Sequence, residues 1–476
     1  MLTYDLSLRG KTPLYEYLYT RIRQDILSGS LKPDERLPSK RNLANHLNIS
    51  ITTVENTYAQ LMLEGYLYSR PGAGFYVKSL DEEMIRSAPP CAPSPPYEEP
   101  NPPEEHEYLV DFKANKCSHE HFPYSIWSRL MRETLSQKDV DLLRTIPYNG
   151  VFPLRKAIAD YLYHSRGMRV NPEQIIIGAG TEYLYGRLLQ MFGPETIIAI
   201  EDPGYKKFSE IPSSQGILWD YIPIDGSGMR SDRLRSSKAN VVHVSPANHF
   251  PTGIVMPIKR RLELLEWASA REKCYLIEDD YDSELRYVGR PIPTMFSIDA
   301  RNKVIYMNTF SKSLVPSIRI SYMILPPYLM RRYQQTLSFY SCTVSAFEQL
   351  TLARFIAEGH FERHINRLKQ YYKNKRDRMI SAIEASRLPR ITTIQEANAG
   401  THFLLRMNTA LSDEQIKQSA EAHNLHLALL SDYSRYQSLN NAGTIVLNYA
   451  GIEPEKIPLA VGILEEIFQT DLNKNY

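Results

Sequence analysis

The distribution of hydrophobic and polar positions divides the chain into two regions that predict different structures. Near the beginning, Leu14, Leu18, Ile22 and Ile26 recur every four residues, which places them on one face of an amphipathic helix. From about residue 107 onwards, short apolar runs alternate with longer helical patterns. Strands that are apolar on both faces and alternate with helices are typical of a mostly parallel sheet covered by helices. The pattern therefore predicts a small helical head and a large α/β body.

The head, residues 1–78, has the pattern of three helices followed by a β-hairpin. Ser39 and Ser50 precede the second and third helical patterns, and serine is a preferred residue at a helix N-cap. Two short β-like runs, YLYSR and GFYVK, follow and are joined through the turn residues 71–74. This order of elements predicts a winged helix-turn-helix. A three-helix protein-interaction module with a solvated polar face is the alternative.

The third predicted helix carries short hydrogen-bonding side chains on the face opposite its apolar stripe, close to its N-terminus. A recognition helix presents such groups to the edges of bases in DNA, while arginines nearby contact phosphates. Residues 1–78 contain ten Lys or Arg and seven Asp or Glu, so the head has a net charge of +3. The predicted DNA-contacting residues are Ser39, Arg41, Thr52, Thr53, Asn56, Arg70 and Gly74.

Residues 79–106 form a segment of different composition between the head and the body. Eight prolines fall between Pro89 and Pro103, and both ends of the segment are acidic. Proline fixes φ and lacks an N–H donor, so the segment is expected to form neither a helix nor a central strand. We predict a semi-rigid linker, which divides the chain into domains at 1–78 and 107–476. A long surface loop within one domain is the alternative.

In the body, three apolar runs are followed by residues that could bind a ligand at the carboxyl ends of parallel strands. Residues 178–181, GAGT, open a helix and could bind an anion through backbone N–H groups. Residues 278–282, EDDYD, concentrate carboxylates, which need a cation, a metal or a proton. Lys312 follows a third run and is placed to become a desolvated, imine-forming amine. Each feature alone has a simpler interpretation: the glycines as a tight turn, the acidic segment as a solvated loop, and Lys312 as a surface lysine.

Taken together, the three features match what pyridoxal phosphate (PLP) requires. Its phosphate binds backbone donors and an arginine, for which Arg319 is the candidate. Its pyridine nitrogen needs a carboxylate, its phenolic oxygen a tyrosine hydroxyl, and its aldehyde a lysine. Because the phosphate-binding turn, the acid–tyrosine pair and the lysine each follow a separate predicted strand, the sequence predicts a PLP site at one edge of the sheet.

Composition and charge exclude several other classes. The chain has 476 residues, of which 43% are hydrophobic and 23% charged, as in ordinary globular proteins. Its four cysteines include no C-x-x-C pair, which argues against zinc ribbons, iron–sulfur clusters and disulfide scaffolds. No run of about eighteen apolar residues is present, so no membrane span is expected. We expect a cytoplasmic protein that binds no metal.

Both halves of the chain resemble known families. The segment LPSKRNLANHLNISITTVENTYAQLMLEGYLYSRPGAGFYV resembles the DNA-binding domain of the GntR superfamily, although Ile51 stands where that family often has arginine. Residues 120–465 resemble fold-type I aminotransferases, in VFPLRKAIADYL, IIIGAGTEYLYG, EDPGYKKF, VSPANHFPTG, YLIEDDYDSEL, NTFSKSLVPSIRISYMILP and NAGTHF. The combination resembles the MocR/GabR subfamily of bacterial transcriptional regulators.

The aminotransferase resemblance implies roles for individual residues. Lys312 forms the Schiff base, Asp279 pairs with the pyridinium nitrogen, and Tyr281 reaches the ring hydroxyl. Phe250 stands where ordinary aminotransferases have asparagine, which leaves the ring-hydroxyl contact to Asn248 or His249. The remaining residues implied around the cofactor are Gly180, Thr181, Thr309, Ser311 and Arg319 at the phosphate and Tyr205 stacked on the ring.

The subfamily resemblance implies a regulator rather than an enzyme, with no residue acting catalytically. It binds double-stranded promoter DNA and senses an amine or amino-acid effector as an external aldimine, with Lys207 and Arg435 as effector contacts. It also implies a homodimer whose heads and bodies are exchanged head-to-tail between chains. The alternatives are a working aminotransferase that carries a DNA-binding head, a cofactor-free binding module, and a regulator for which the cofactor itself is the signal.

Overall fold

The computed structural model describes residues 2–79, 107–113, 121–136, 140–289, 292–435 and 442–474. The chain divides into two compact units, Met1–Glu105 and His106–Tyr476. The predicted linker, apart from residue 79, lies outside the described residues, and the proposed domain limits remain a prediction.

The first unit is a winged helix-turn-helix, as predicted. Its helices are α1 (Leu14–Leu27), α2 (Lys40–Leu47) and α3 (Ile51–Leu63). The hairpin consists of β1 (Leu67–Arg70) and β2 (Gly74–Val77), which pair antiparallel. Serine side chains cap α2 and α3 by accepting hydrogen bonds from backbone N–H groups three residues further on.

The core of this unit is formed by the apolar stripes of its three helices. Leu18 and Ile22 of α1 are buried against Leu43 of α2 and against Val54 and Tyr58 of α3. The apolar residues at every fourth position of α1 therefore form a buried face, as predicted. The polar residues of α3 lie on the side of that helix that faces away from the core.

The second unit is built around an eight-stranded, mostly parallel sheet, which confirms the predicted fold class. Its spatial order is β4-β11-β10-β9-β8-β5-β6-β7, and within it only β11 and β7 run antiparallel to their neighbours. A three-stranded antiparallel sheet, β12-β13-β15, and a two-stranded parallel pair, β14-β3, complete the described strands. The strands are β3 (Val110–Asp111), β4 (Ile175–Gly178), β5 (Ile197–Asp202), β6 (Leu218–Asp225), β7 (Gly228–Met229), β8 (Val241–Val244), β9 (Tyr275–Asp279), β10 (Val304–Thr309), β11 (Ser321–Ile324), β12 (Thr392–Gln395), β13 (His402–Met407), β14 (Leu425–His426) and β15 (Thr444–Asn448).

The helices of this unit cover both faces of the large sheet and pack on the smaller one. They are α4 (Tyr124–Ser136), α5 (Phe152–Arg166), α6 (Thr181–Phe192), α7 (Lys207–Ser214), α8 (Ser231–Ser236), α9 (Ile258–Ser269), α10 (Met295–Ile298), α11 (Phe310–Ser313), α12 (Pro327–Leu337), α13 (Ala346–Ala357), α14 (His360–Glu384), α15 (Asp413–Ala422), α16 (Ile457–Ile467) and α17 (Gln469–Lys474). None of the helices among these described residues is both long and apolar enough to cross a membrane.

Strand β4 shows why the strands are apolar without interruption. Ile175 and Ile177 belong to one core cluster with Leu154 of α5, whereas Ile176 between them belongs to another with Leu184 of α6. Successive side chains of a strand point to opposite faces, so a sheet covered on both sides requires apolar residues at every position.

Replacing Leu18 of α1 with alanine is expected to destabilise the first unit by about 2–5 kcal/mol, because the side chain is fully buried where α1 packs on α3. The matched control is Leu63→Ala, since that leucine is 81% exposed. Hydrogen exchange of the amides of α1 and α3 in the full-length protein measures both changes. Equal protection in the two variants would contradict this account of the core.

Candidate cofactor and DNA sites

A cavity of about 220 Å³ opens at the carboxyl ends of the parallel strands. Strands β5, β8, β9 and β10 end at this edge, because they run in the same direction. Ten of the residues predicted around a cofactor and an effector line it: Thr181, Tyr205, Lys207, His249, Asp279, Tyr281, Thr309, Ser311, Lys312 and Arg319.

Lys312 reaches the cavity because β10 ends in a tight turn into α11. Thr309, the last residue of β10, caps α11 through its Oγ1, which accepts a hydrogen bond of 3.1 Å from the backbone N–H of Ser311. The Ser321 hydroxyl of the neighbouring β11 donates to the same oxygen at 2.8 Å. These bonds orient the first turn of α11, so Lys312 extends from a rigid support.

Asp279 ends β9 and is 5% exposed. Burial, reinforced by the negative charge of Asp280, raises the pKa of Asp279 to about 7. His243 lies with its Nε2 3.8 Å from Asp279 Oδ2, but burial, together with His249, lowers the pKa of His243 to about 3. A neutral imidazole cannot balance the carboxylate, so this position favours an N–H cation brought by a ligand.

Two orphaned polar atoms show that the cavity fits PLP. Asp279 Oδ1 and the Tyr281 hydroxyl are buried and have no hydrogen-bond partner of good geometry among the described residues. Both residues line the cavity together with Lys312. A carboxylate oxygen, a phenol and a primary amine are the groups that the pyridine nitrogen, the ring hydroxyl and the aldehyde of PLP require.

The other end of the cavity has the features of a phosphate site. Thr181 begins α6, a twelve-residue helix, whose N-terminus favours an anion. Gly180 has a φ of +98°, and a Cβ on it would lie 2.2 Å from Arg319 Nη2. Only glycine therefore allows the guanidinium to approach the turn, and together the arginine, the turn and Thr181 could hold a phosphate.

Lys207 and Arg319 share one acidic neighbour. Lys207 Nζ bonds to Glu182 Oε1, and Arg319 Nη2 lies 3.6 Å from Glu182 Oε2. All three side chains are about half exposed, so a carboxylate ligand could replace Glu182 at either cation.

Three predicted residues are not among those that line the cavity: Gly180, whose turn lies beside Arg319, Asn248 and Arg435. Asn248 Nδ2 donates to Asp282 Oδ2 at 2.6 Å and does not line the cavity. Of the two residues predicted to contact the ring hydroxyl, only His249 lines the cavity. The guanidinium of Arg435 stacks near the rings of Trp219 and Tyr221, with its Cζ 5.8 and 5.7 Å from the ring centroids.

The acidic residues 278–282 do not form a solvated loop, because their four carboxyl groups are buried and face different partners. Glu278 accepts hydrogen bonds from two backbone N–H groups of α10, and Asp280 bonds to Arg166 at 3.0 Å. Within the described part of the chain, no group of three His, Cys, Asp or Glu side chains is arranged to hold a metal ion.

Sequence reasoning missed several residues that line the cavity. His243 is the one polar residue in the buried strand VVHV, and that interruption was the signal that could have identified it. Its ring lies against Phe208, with centroids 3.7 Å apart. Glu201, near the end of β5, also lines the cavity, and its Oε2 accepts a bond of 3.2 Å from the backbone N–H of Ser245.

In the winged helix-turn-helix, the predicted DNA contacts occupy different environments. Thr52 and Asn56 are exposed on α3, whereas Thr53 is half-buried and its Oγ1 lies 2.7 Å from Ser50 Oγ. Arg41 is exposed on α2, Ser39 caps that helix, and Gly74 begins β2 with a φ of +109°. Arg70 in the hairpin stacks against two tyrosine rings.

Known proteins match both units. Aminotransferase class I and II proteins match residues 108–443, and bacterial regulatory proteins of the gntR family match residues 14–77. The HTH-type transcriptional regulator YdeL of Bacillus subtilis is 38% identical over 445 residues, which cover 94% of each chain. The probable rhizopine catabolism regulatory protein MocR of Rhizobium meliloti is 33% identical and covers 97% of this chain and 95% of its own.

Among solved structures, the kynurenine aminotransferase of Pyrococcus horikoshii superimposes with a TM-score of 0.68 at 24% identity and covers 77% of this chain and 92% of its own. At that identity the likeness shows the fold alone. The matches together confirm the resemblance drawn from the sequence motifs.

Replacing Glu201 with glutamine is expected to change how stability depends on pH. Burial raises the pKa of Glu201 from 4.5 to about 8, so between about pH 5 and pH 8 the carboxyl is ionised in the unfolded chain but still protonated in the folded protein, and stability falls as the pH rises through this range. Glutamine cannot ionise, so the free energy of unfolding of the variant should rise relative to wild type across that range. Urea unfolding measures the difference, with exposed Glu195→Gln as control. A difference that stays constant with pH would contradict the prediction.

Proposed function

This chain belongs to the aminotransferase class I and II family and, through residues 14–77, to the gntR family of bacterial regulatory proteins, and from this premise we propose that it is a PLP-dependent transcriptional regulator that senses an amino-group effector. The observation that carries the proposal is the cavity in which the orphaned Asp279 Oδ1 and Tyr281 hydroxyl accompany Lys312, on the same chain as a winged helix-turn-helix.

When bound, PLP supplies an aldehyde that bonds reversibly to primary amines and a ring that withdraws electrons. Lys312 would hold the aldehyde, Asp279 would keep the ring nitrogen protonated, and Tyr281 would donate to the phenolic oxygen. At the opposite end, Thr181 and Arg319 would hold the phosphate. An effector amine would compete with Lys312 for the aldehyde, which makes this lysine the sensing residue.

The effector class follows from the cations near the cavity. Lys207 lies at its rim and can bind a carboxylate as a point charge without the two-pronged geometry of arginine. An amino acid or ω-amino acid therefore fits, with its amine towards Lys312 and its carboxylate towards Lys207. Arg435 is retained as a second contact, which requires its guanidinium to leave the rings of Trp219 and Tyr221.

In this function the body, residues 107–476, senses an effector and does not turn over a substrate. Phe250 lines the cavity where ordinary aminotransferases have asparagine, and its ring contacts Tyr205 and His402, at 5.8 and 5.3 Å between centroids. A phenylalanine side chain offers no hydrogen-bond donor to the cofactor ring. The second candidate function is an active aminotransferase with a DNA-binding domain, which the fold also supports.

We further propose a homodimer with heads and bodies exchanged head-to-tail, since a dimer presents two recognition helices to two half-sites. The effector would change DNA affinity by binding two arrangements of the dimer with different affinities. Domains at 1–78 and 107–476, a linker at 79–106 and a cytoplasmic location complete the proposal.

The purified protein is expected to absorb visible light as a PLP protein, and one amine from a panel should shift that absorbance and change DNA affinity. Lys312→Ala should abolish the effector-dependent change in DNA affinity, because the effector then displaces no lysine from the cofactor. The exposed Lys206→Ala, one residue from Lys207, is the matched control. A normal effector response in Lys312→Ala would contradict the sensing mechanism, and sustained release of a keto product with an added 2-oxo acid would establish the aminotransferase instead.

Arg41→Ala is expected to weaken DNA binding similarly on all sequences and to reduce the slope of log affinity against log salt by about 1, because one phosphate contact is lost. Arg9→Ala is the control, since this exposed arginine lies outside α2, α3 and the hairpin. Affinity and salt slope are measured by titration of the full-length protein onto duplex DNA. An unchanged slope would remove Arg41 from the phosphate contacts.

A further inference from the structure

A carboxylate lies on the exposed face of α3 among the residues proposed to contact bases. Thr52, Glu55 and Asn56 are exposed, and at a spacing of three and four residues they lie next to one another on the helix surface. The opposite face of α3, with Val54 and Tyr58, is buried in the core. Glu55 therefore cannot turn away from whatever docks on this face.

Glu55 is held in place by Lys40, the first residue of α2. Lys40 Nζ lies 2.6 Å from Glu55 Oε1, and the same ammonium lies 5.5 Å from the centroid of the Phe75 ring in β2. The lysine thus connects α2, α3 and the hairpin around one carboxylate. No described residue contacts Oε2 of Glu55 in a hydrogen bond, which leaves that oxygen for a donor from outside.

Neither stability nor general DNA affinity accounts for this arrangement. The side chains of Lys40 and Glu55 are 30% and 53% exposed, and ion pairs with such exposure stabilise proteins by at most about 1 kcal/mol. A negative charge on the docking face also repels phosphates, which dominate non-specific affinity. A carboxylate is favourable on this face only where it meets a hydrogen-bond donor.

We propose that Glu55 is a specificity-determining residue that accepts a hydrogen bond from the exocyclic amino group of a cytosine in the major groove. Cytosine presents this donor in the groove, and carboxylates accept from it. Lys40 is the positioning residue, since it orients the carboxylate and offsets its charge beside the phosphates. The inference rests on the proposed DNA-binding function and adds a base preference to it.

The test selects duplexes from a random-sequence double-stranded DNA library with full-length, PLP-loaded protein. Wild type should enrich a half-site that contains one invariant G·C pair. Glu55→Gln should shift that position to A·T, because glutamine bonds to both N6 and N7 of adenine, with a change in preference on the order of 10-fold or about 1.4 kcal/mol. Glu16→Gln, at an exposed position of α1, removes the same charge elsewhere and should keep the wild-type preference.

Lys40→Met should reduce discrimination at the same position without shifting it to A·T, and thermal unfolding verifies that each variant is folded. Unchanged base preference in Glu55→Gln, or the same shift in Glu16→Gln, would overturn the inference while leaving DNA binding intact. If wild type enriched no sequence, the proposed DNA-binding function would fail, and the base preference with it.

Discussion

The parallel pairing of β9 with β10 is the constraint on which the cofactor site depends. Asp279 is the register partner of Met307, so β9 ends just before β10 and α11 bring Lys312 to the same edge of the sheet. In an antiparallel pair the two residues would lie at opposite ends. Because β5 and β8 share this direction, their terminal residues converge on the same cavity.

Burial then determines the chemistry of the residues that converge. The pKa of Asp279 is raised to about 7 and that of Glu201 to about 8, both mainly by burial, while burial lowers the pKa of His249 to about 3. In this site the imidazoles are neutral, and burial makes ionisation of the carboxyl groups unfavourable. Such a site favours a ligand that carries a positive charge to pair with a carboxylate. The protonated ring of PLP satisfies this requirement, and its phosphate in turn matches the end of the cavity where Arg319 approaches Gly180.

The winged helix-turn-helix uses the opposite arrangement, because its functional groups are exposed and its core is apolar. Helix α3 is held by buried Val54 and Tyr58, while its polar face remains open to a partner. Selectivity on such a face depends on a few oriented side chains, and the Lys40–Glu55 pair is oriented by three elements at once. The two units therefore match two chemistries, a buried pocket for a small ligand and an open face for a polymer.

The order of elements, the winged helix-turn-helix and the mostly parallel sheet could all be predicted from the chain alone, because periodicity and uninterrupted apolar runs follow from local burial. Lys312, Asp279 and Tyr281 could also be predicted to lie near one ligand site, since each lies at the end of an apolar strand or within three residues of it. The folded chain was needed to show that Glu201 and His243 line the cavity, that Asn248 bonds to Asp282, and that Arg435 lies against two aromatic rings. These facts depend on strand register and on contacts between residues far apart in the chain. A shift of one residue along a strand reverses the face of every side chain, and a local pattern does not contain that information.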